Sequence, residues 1–429
     1  MGVRFLHVAD LHVGQPLECG RPTDGELDAP FRRCGLRAIE RIISVARTKS
    51  VDFVVVSGDV FDRQYRSVEL TEQLLEILEK AGCSVYILGG DSPEYSRISN
   101  RWPGPVRCFD AKTVETFEHG IDRKSMVRLT GQSNASDWPA SGLFGADSSL
   151  SGPSVGVIHR PPGRTQKTVL DASQAFEMDY WAGGGPHRPR YWPSIPGGVP
   201  GSPQPRRFDA RHVGGCYLVE LIEKSPSVTF IPTAPISFHT VTVALGSEDD
   251  EPIRTIGGVV TDALRSITSL QERPPRPSLS LPDGVARSDG SWAPAGMVVR
   301  IELTGHSPIV TQLTRSRLDW LFDRIRSLLD PNLTPVVLES IRDRTRRTGS
   351  DRSVAVVDAL ERVVDTMRTN ERSQLRAATG EVFQDCPVGA RETVPVDRCA
   401  LTDQTLDRLT DEALALATDR LVERGIDVD

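Results

Sequence analysis

The sequence predicts an α/β fold in which parallel strands deliver polar loops to one sheet edge. Three observations carry that expectation. Val3 to Ala9 is a short apolar run ending in Asp10-Leu11-His12. Asp52 to Val56 repeats the design before Ser57-Gly58-Asp59, and apolar residues at helical spacing fill the interval between the two runs. Continuous apolar runs of this length are what strands buried on both faces require, and helices between them supply the covering layer.

The remaining elements follow in order. Phe31 to Thr48 has the periodicity of an amphipathic helix, and Leu70, Leu74 and Leu78 mark a second one closed by Gly82. Ser84 to Leu88 is a third strand, running into Gly89-Gly90-Asp91-Ser92-Pro93. Val155 to Ile158 ends at His159, and Asp179 to Ala182 leads into Gly183-Gly184-Gly185-Pro186-His187, so two further strands bring loops to the same edge. After a Pro/Gly-dense stretch, Cys216 to Ile222 and Ser227 to Ile231 read as an antiparallel pair closing a first domain, 1–235. A small α/β capping domain is expected over 236–352. It has strands at Phe238 to Ala244 and Met297 to Leu303, helices at Glu251 to Gln271 and Leu318 to Leu329, and a Pro/Ser-rich insert at 273–296. A helical C-terminal segment, 353–429, carries apolar stripes such as Leu406, Leu409, Leu414 and Leu421.

Composition narrows the function classes. With 38% hydrophobic and 25% charged residues the 429-residue chain is built to fold, and its length exceeds what one core usually supports. No apolar run approaches the roughly 20 residues of a membrane span, and no signal-peptide pattern opens the chain, so a cytoplasmic location without membrane contact is expected. Seven scattered cysteines without a CxxC pair argue against a disulfide framework or a thiolate zinc site. A net charge of −7 disfavours gripping nucleic acid over the whole surface, so any such contact must be local or shared.

Asp10 and His12 are two residues apart at a strand end, where an extended backbone points both side chains the same way, and Asp59 arrives from the next strand as a candidate bridging carboxylate. Carboxylates and imidazoles suit a hard or borderline divalent ion. Two such ions roughly 3.5 to 4 Å apart supply the hydroxide and the positive charge that phosphoester hydrolysis needs. Alone, each residue has a plainer explanation as a helix cap, a satisfied core histidine or a Gly-Asp turn. Three ligands at two strand ends, with His159 and His187 at two later ones, favour a metal site.

These motifs resemble a known family. Phe5-Leu6-His7-Val8-Ala9-Asp10-Leu11-His12, Ser57-Gly58-Asp59-Val60-Phe61-Asp62 and Gly90-Asp91-Ser92-Pro93 look like the opening motifs of SbcD-type DNA repair exonuclease subunits within the calcineurin-like metallophosphoesterases. Asp179-Tyr180-Trp181-Ala182 resembles the strand before that family's Gly-His-x-His motif. Pro200-Gly201-Ser202-Pro203-Gln204 and Val213-Gly214-Gly215-Cys216-Tyr217 resemble its closing segment. The cap and tail resemble the YhaO-like branch in general pattern. The resemblance implies a four-layer β-sandwich flanked by helices, with Mn2+ or another divalent metal as cofactor.

It also implies a degraded active site. The family's third strand ends in Gly-Asn-His-Asp, but here in Gly89-Gly90-Asp91-Ser92-Pro93, so the histidine expected to assist the leaving group is missing. Gly-His-x-His becomes Gly184-Gly185-Pro186-His187, which replaces a second-metal histidine with Gly185. Carried over residue by residue, the first metal keeps Asp10, His12, Asp59 and His187. The second keeps Asp59 and His159, with Asp91 as a possible substitute ligand, so one bound ion is expected in place of two.

Arg188, Arg190, Arg206 and Arg207, with Arg211, follow the site loop and are candidates for DNA or phosphate contact; Trp181, Tyr191 and Trp192 could stack on bases. The run Arg342, Arg344, Arg346 and Arg347 reads as a solvated face at a helix end, and His7, His119, His212, His239 and His306 as core or surface residues. By resemblance, the C-terminal helices either complete the cap or dock on an SbcC-like coiled-coil ATPase, and a homodimer is possible. The expected function is that of an SbcD-like subunit with lost or strongly reduced nuclease activity, working on DNA ends with that ATPase. The alternative is an active metal-dependent exonuclease or phosphodiesterase using one metal or a rearranged second site.

Overall fold

The computed structural model describes residues 2–345 except 20–30, 32, 62–66, 90–101, 112, 121–125, 134–151, 161–176, 193, 209–212, 223–224, 247–252, 254, 274–280, 289–292, 306–308, 310–312 and 314. Asp91, Arg211, Arg346, Arg347 and the C-terminal helical segment therefore lie outside the described residues. The chain divides into two compact units. One comprises Met1–Val243, Ile256–Leu303 and Arg315–Asp343; the other, Ala244–Thr255, Thr304–Thr314 and Arg344–Asp429, is described only in short pieces.

The first unit contains three sheets, two of which face each other. In one, seven strands run in the order β14-β12-β11-β1-β2-β3-β4, where β1 is Gly2–Ala9, β2 Phe53–Ser57, β3 Ser84–Leu88, β4 Val106–Cys108, β11 Gly215–Ile222, β12 Ser225–Pro232 and β14 Val285–Arg287. In the other, six strands run β5-β6-β7-β8-β10-β9, with β5 Glu115–Gly120, β6 Met126–Gly131, β7 Ser154–His159, β8 Tyr180–Gly184, β9 Arg190–Trp192 and β10 Gly197–Val199.

β1 has a parallel neighbour, β2, and an antiparallel one, β11, so it is hydrogen-bonded on both edges and covered on both faces. Its side chains then sort by the two-residue period of a strand. Leu6 and Val8 join Val54 and Val56 beneath α1 (Cys34–Thr48) and α2 (Val68–Glu79). Phe5 and Val3 join Phe53, Val55 and Tyr86 on the opposite face, where Val155, Val157, Tyr180 and Ala182 of the second sheet meet them. Phe5 and Phe53 stack at 4.9 Å between centroids in that layer. Each such fully buried large side chain contributes about 1.5–3 kcal/mol relative to exposure, so this inter-sheet layer and the helix-covered layer fix the positions of the strand ends.

The order is therefore helices, seven-stranded sheet, six-stranded sheet, the mixed α/β sandwich expected; an outer helical layer on the second sheet is not among the described residues. α1 buries Leu36, Ile39, Ile42, Ile43 and Ala46 at helical spacing and starts at Cys34, three residues later than Phe31. α2 is capped by Ser67, whose hydroxyl accepts the Leu70 N–H at 3.1 Å. No described helix is long and apolar enough to cross a membrane.

A third sheet, in the order β13-β15-β16, combines β13 (Ile236–Ala244), β15 (Gly296–Thr304) and β16 (Val336–Asp343) with α3 (Ile256–Glu272) and α4 (Arg315–Ser327). Two local expectations change. Arg342 belongs to β16, a strand paired parallel with β15, and not to a helix end: Val336, Val337, Leu338 and Ile341 favour a pleated edge. Within the Pro/Ser-rich insert, Val285–Arg287 forms β14, which pairs with Val228–Phe230 and extends the seven-stranded sheet.

Candidate metal centre

The carboxyl ends of β1, β2, β7 and β8 meet where the two sheets face each other, and the expected ligands follow these four strands. The ligand loops are stitched together by their backbones. His12 N–H donates to Asp59 O and Val13 N–H to Val60 O, both at 2.8 Å, while Gly58 N–H reaches Leu88 O of β3 at 2.9 Å.

Among the described residues only four that are not glycine adopt positive φ, and three of them are ligand candidates: Asp10 at 52°, His12 at 45° and Asp59 at 40°. Such left-handed conformations cost on the order of 1–3 kcal/mol each, and they persist where surrounding contacts over-determine them, commonly at functional sites. Here each turn swings a side chain inward.

The donor atoms form two groups that share Asp10, and within each group all lie within 4.8 Å of one another. One is Asp10, His12 and His187; the other is Asp10, Asp59 and His159. His12 Nε2 lies 3.2 Å from His187 Nε2. His159 Nε2 lies 3.2 Å from Asp10 Oδ1 and 3.4 Å from Asp59 Oδ2. Asp10 is common to both groups, while Asp59, the candidate bridging carboxylate of the sequence, lies in the second beside His159.

His159 reaches this place because glycines leave it room. A Cβ on Gly58 would lie 2.1 Å from His159 Cδ2, and one on Gly184 only 1.8 Å from the Ser57 carbonyl oxygen. Gly185 has a further role. Its N–H donates to both Asp10 oxygens, at 2.9 and 3.0 Å, and its φ of 109° favours glycine. Where the resemblance expects a histidine ligand, the backbone amide of Gly185 instead orients the shared carboxylate.

Electrostatics follow from this packing. Burial alone would hold His159 low, but the hydrogen bonds and charges of Asp10 and Asp59 raise it to about 10. Burial works to raise Asp59, yet the His159 hydrogen bond and the charges of His159, His12 and His187 bring it below the usual carboxylate value. His187, at the rim, is lowered, chiefly by burial. The donor set fits a divalent ion: two carboxylates and three imidazoles converge in two groups that share Asp10.

The basic candidates divide. Arg188 and Arg190 are exposed, and Arg207 forms a 3.3 Å surface ion pair with Glu18. Arg206 is buried, with 7% of its surface exposed, and its guanidinium donates to the carbonyls of Leu11, His12 and Gln15. The expectation that Arg206 binds DNA phosphate therefore gives way to an internal role. Trp181 is also unsuited to stacking on bases, being fully buried, and Trp192 is only 4% exposed.

Comparison with known proteins meets this geometry. The model of the calcineurin-like phosphoesterase family matches residues 3–189, from the first residues of β1 to just beyond His187. Residues 3–189 are thus similar to a calcineurin-like phosphoesterase domain. The uncharacterised metallophosphoesterase YhaO of Bacillus subtilis (strain 168) is 25% identical over 246 residues, covering 53% of this chain and 59% of that protein. Three solved structures align over about half of this chain. TT1561 of Thermus thermophilus has 14% identity and a TM-score of 0.36, covering 53% of this chain and 98% of its own. A dimetal phosphatase from Danio rerio has 11% identity and a TM-score of 0.34, covering 54% and 99%. The 5'-nucleotidase precursor from Thermus thermophilus has 12% identity and a TM-score of 0.35, covering 55% of each chain. Within the matched residues, all five ligand candidates described, Asp10, His12, Asp59, His159 and His187, come together in two groups that share Asp10.

Sequence reasoning missed three contributors: the Gly185 amide, the glycines that admit His159, and Arg206. Only the glycines left a signal, the run Gly183-Gly184-Gly185 at a strand end.

Proposed function

We propose that this chain is a metal-binding phosphoesterase-fold subunit of the SbcD type, acting at DNA ends beside an SbcC-like coiled-coil ATPase, with nuclease activity strongly reduced. The observation that carries the metal-centre part is the concentration of positive φ at Asp10, His12 and Asp59, whose side chains join two donor groups. The order of motifs from Asp10 to Tyr217 supports the SbcD-type part. A bound divalent ion would supply an activated water near neutral pH and positive charge beside a phosphate.

The chain's own residues do the rest. Asp10, oriented by Gly185 N–H, is the acceptor shared by the two donor groups, and His12 and His187 complete the first group while Asp59 and His159 complete the second. Reduced activity follows from the loop after Leu88, where the family's leaving-group histidine has no counterpart. General acid assistance is typically worth roughly 10² to 10⁴ in rate. Exposed Arg188 and Arg190, just beyond His187, are positioned along the chain to contact a phosphate backbone.

A second reading, a working phosphodiesterase with Mn2+ at two positions, is favoured by one specific observation: the Asp10–Asp59–His159 group offers three donors. Counting Mn2+ per chain by calorimetry or anomalous scattering, and assaying exonuclease activity beside Asp59→Ala, separates the two. One ion and negligible cleavage support the reduced-activity subunit. Two ions with Asp59-dependent cleavage overturn it in favour of the enzyme.

A further inference from the structure

We infer that Arg206 is a positioning residue for the metal centre: its buried guanidinium holds the loop carrying Asp10 and His12 in the strained conformation that points both side chains at the ion. The inference rests on the metal-centre reading and goes beyond it, because Arg206 offers no ligand atom.

The geometry is specific. Nη2 donates to the carbonyl of Leu11 at 3.1 Å and of His12 at 2.8 Å, and Nη1 donates to that of Gln15. These acceptors lie between, on and after the two residues at φ 52° and 45°, Asp10 and His12. A left-handed turn directs successive carbonyls away from the usual ladder partners, and a buried carbonyl without a donor is costly. One planar cation with several fixed donors meets all three carbonyls at once, which an ammonium on a flexible stem does less well. Room for it is provided by Gly35 at the start of α1, where a Cβ would stand 3.0 Å from Arg206 Nη2.

Arg206 is itself held from behind. Its carbonyl accepts the Glu18 N–H at 2.7 Å. Two residues earlier, buried Gln204 accepts from Ile236 N–H at 3.0 Å and donates to Ile236 O at 3.1 Å, tying the segment to the first residue of β13. Two residues later, Phe208 packs edge-on against Phe238 of β13 and beneath the Arg300 guanidinium, 3.9 Å from its ring centroid. The segment is a strut between the third sheet and the ligand loop.

The test uses Mn2+ as the probe, calorimetric affinity and the melting temperature of metal-free protein as readouts, and the full chain with Arg206→Met and Arg206→Lys. Arg41→Met is the matched control, because Arg41 also donates to three backbone carbonyls, those of Thr233, Ala234 and Ala293, away from the ligand loop. Partners that orient ligands without touching the ion typically cost 10–100-fold in metal affinity when removed. Arg206→Met is expected to weaken Mn2+ binding by about that factor, Arg206→Lys by less, and Arg41→Met to lower the melting temperature with affinity unchanged. If Arg206→Met fails to fold, Arg206→Lys must still weaken binding. Wild-type affinity in a folded Arg206 variant, or an equal loss in Arg41→Met, overturns the inference. A wild-type chain that binds no Mn2+ overturns the metal-centre reading together with it.

Discussion

Acid should destabilise this fold through one histidine that belongs to neither donor group. His7 lies inside β1, fully buried between the sheets. Its Nε2 is 3.0 Å from the Gly183 carbonyl and must donate there, so Nδ1 accepts from the Tyr180 hydroxyl, also at 3.0 Å. Burial drives its pKa from 6.5 down to about 3, against the small opposing effect of the Gly183 hydrogen bond. The unfolded chain therefore takes up a proton that the folded chain refuses. The associated stability is fully present above about pH 6.5, falls as pH drops below it, and stops falling below about pH 3. Between about pH 7.5 and pH 5 the loss is ~2 kcal/mol, and it is insensitive to the folded-state value because that lies so far below the window. The perturbation is His7→Gln, whose amide can still donate to Gly183 O but does not titrate. Urea unfolding at both pH values measures the difference. The wild type should lose about 2 kcal/mol more than the variant over that interval, the other histidines contributing equally to both. Parallel pH dependence in the two proteins would refute the assignment of a buried neutral His7.

Three further outcomes are expected. Gly184→Ala should cost more than about 3 kcal/mol by chemical denaturation, because the new Cβ would lie 1.8 Å from the Ser57 carbonyl oxygen, a backbone clash no rotamer relieves; a cost under about 1 kcal/mol would contradict the close packing of β2 and β8. Saturating Mn2+ should raise the melting temperature, by the equivalent of about 2.7 kcal/mol at a hundred times the dissociation constant, and Asp10→Ala should abolish the rise. Ser133→Ala should cost about 1–3 kcal/mol, since the buried Ser133 hydroxyl accepts from Gly89 N–H and donates to Phe109 O, both at 2.8 Å, at the root of the loop after β3; scanning calorimetry checks it.

The parts of the fold that could be read from the chain are those whose environment is uniform. β1, β2, β3, β7 and β8 are buried on both faces, so their continuous apolar runs announce them, and β3 lies at Ser84–Leu88 as expected. The strands that went unread sit in mixed surroundings. β5, Glu115–Gly120, alternates half-buried and exposed positions with Glu and His on it. β9 and β10 lie within a Pro/Gly-dense stretch, and β10 is recognisable only through its pairing with Trp181 and Ala182 of β8. β14 exists because Val228–Phe230 offers a free edge, a fact about another part of the chain. Non-local pairing leaves no local period to find.

The site divides along the same line, by whether a group acts through its side chain or its backbone. Asp10, His12, Asp59, His159 and His187 are conspicuous as side chains at strand ends, and the structure assembles them. The link between the two donor groups is invisible in that list, because it depends on a backbone amide. Gly185 is a loss if ligands are counted and a gain if hydrogen bonds are, since its N–H to Asp10 aligns the one carboxylate both groups use. A histidine there would have to accept a φ of 109° and keep that amide in place. Arg206 shows the converse. As a letter in the sequence it resembles any basic residue near a phosphate site, yet burial commits its donors to the carbonyls of Leu11, His12 and Gln15. Residues that hold the loop and residues that face the ligand are chemically alike in the sequence, and only burial and partners tell them apart.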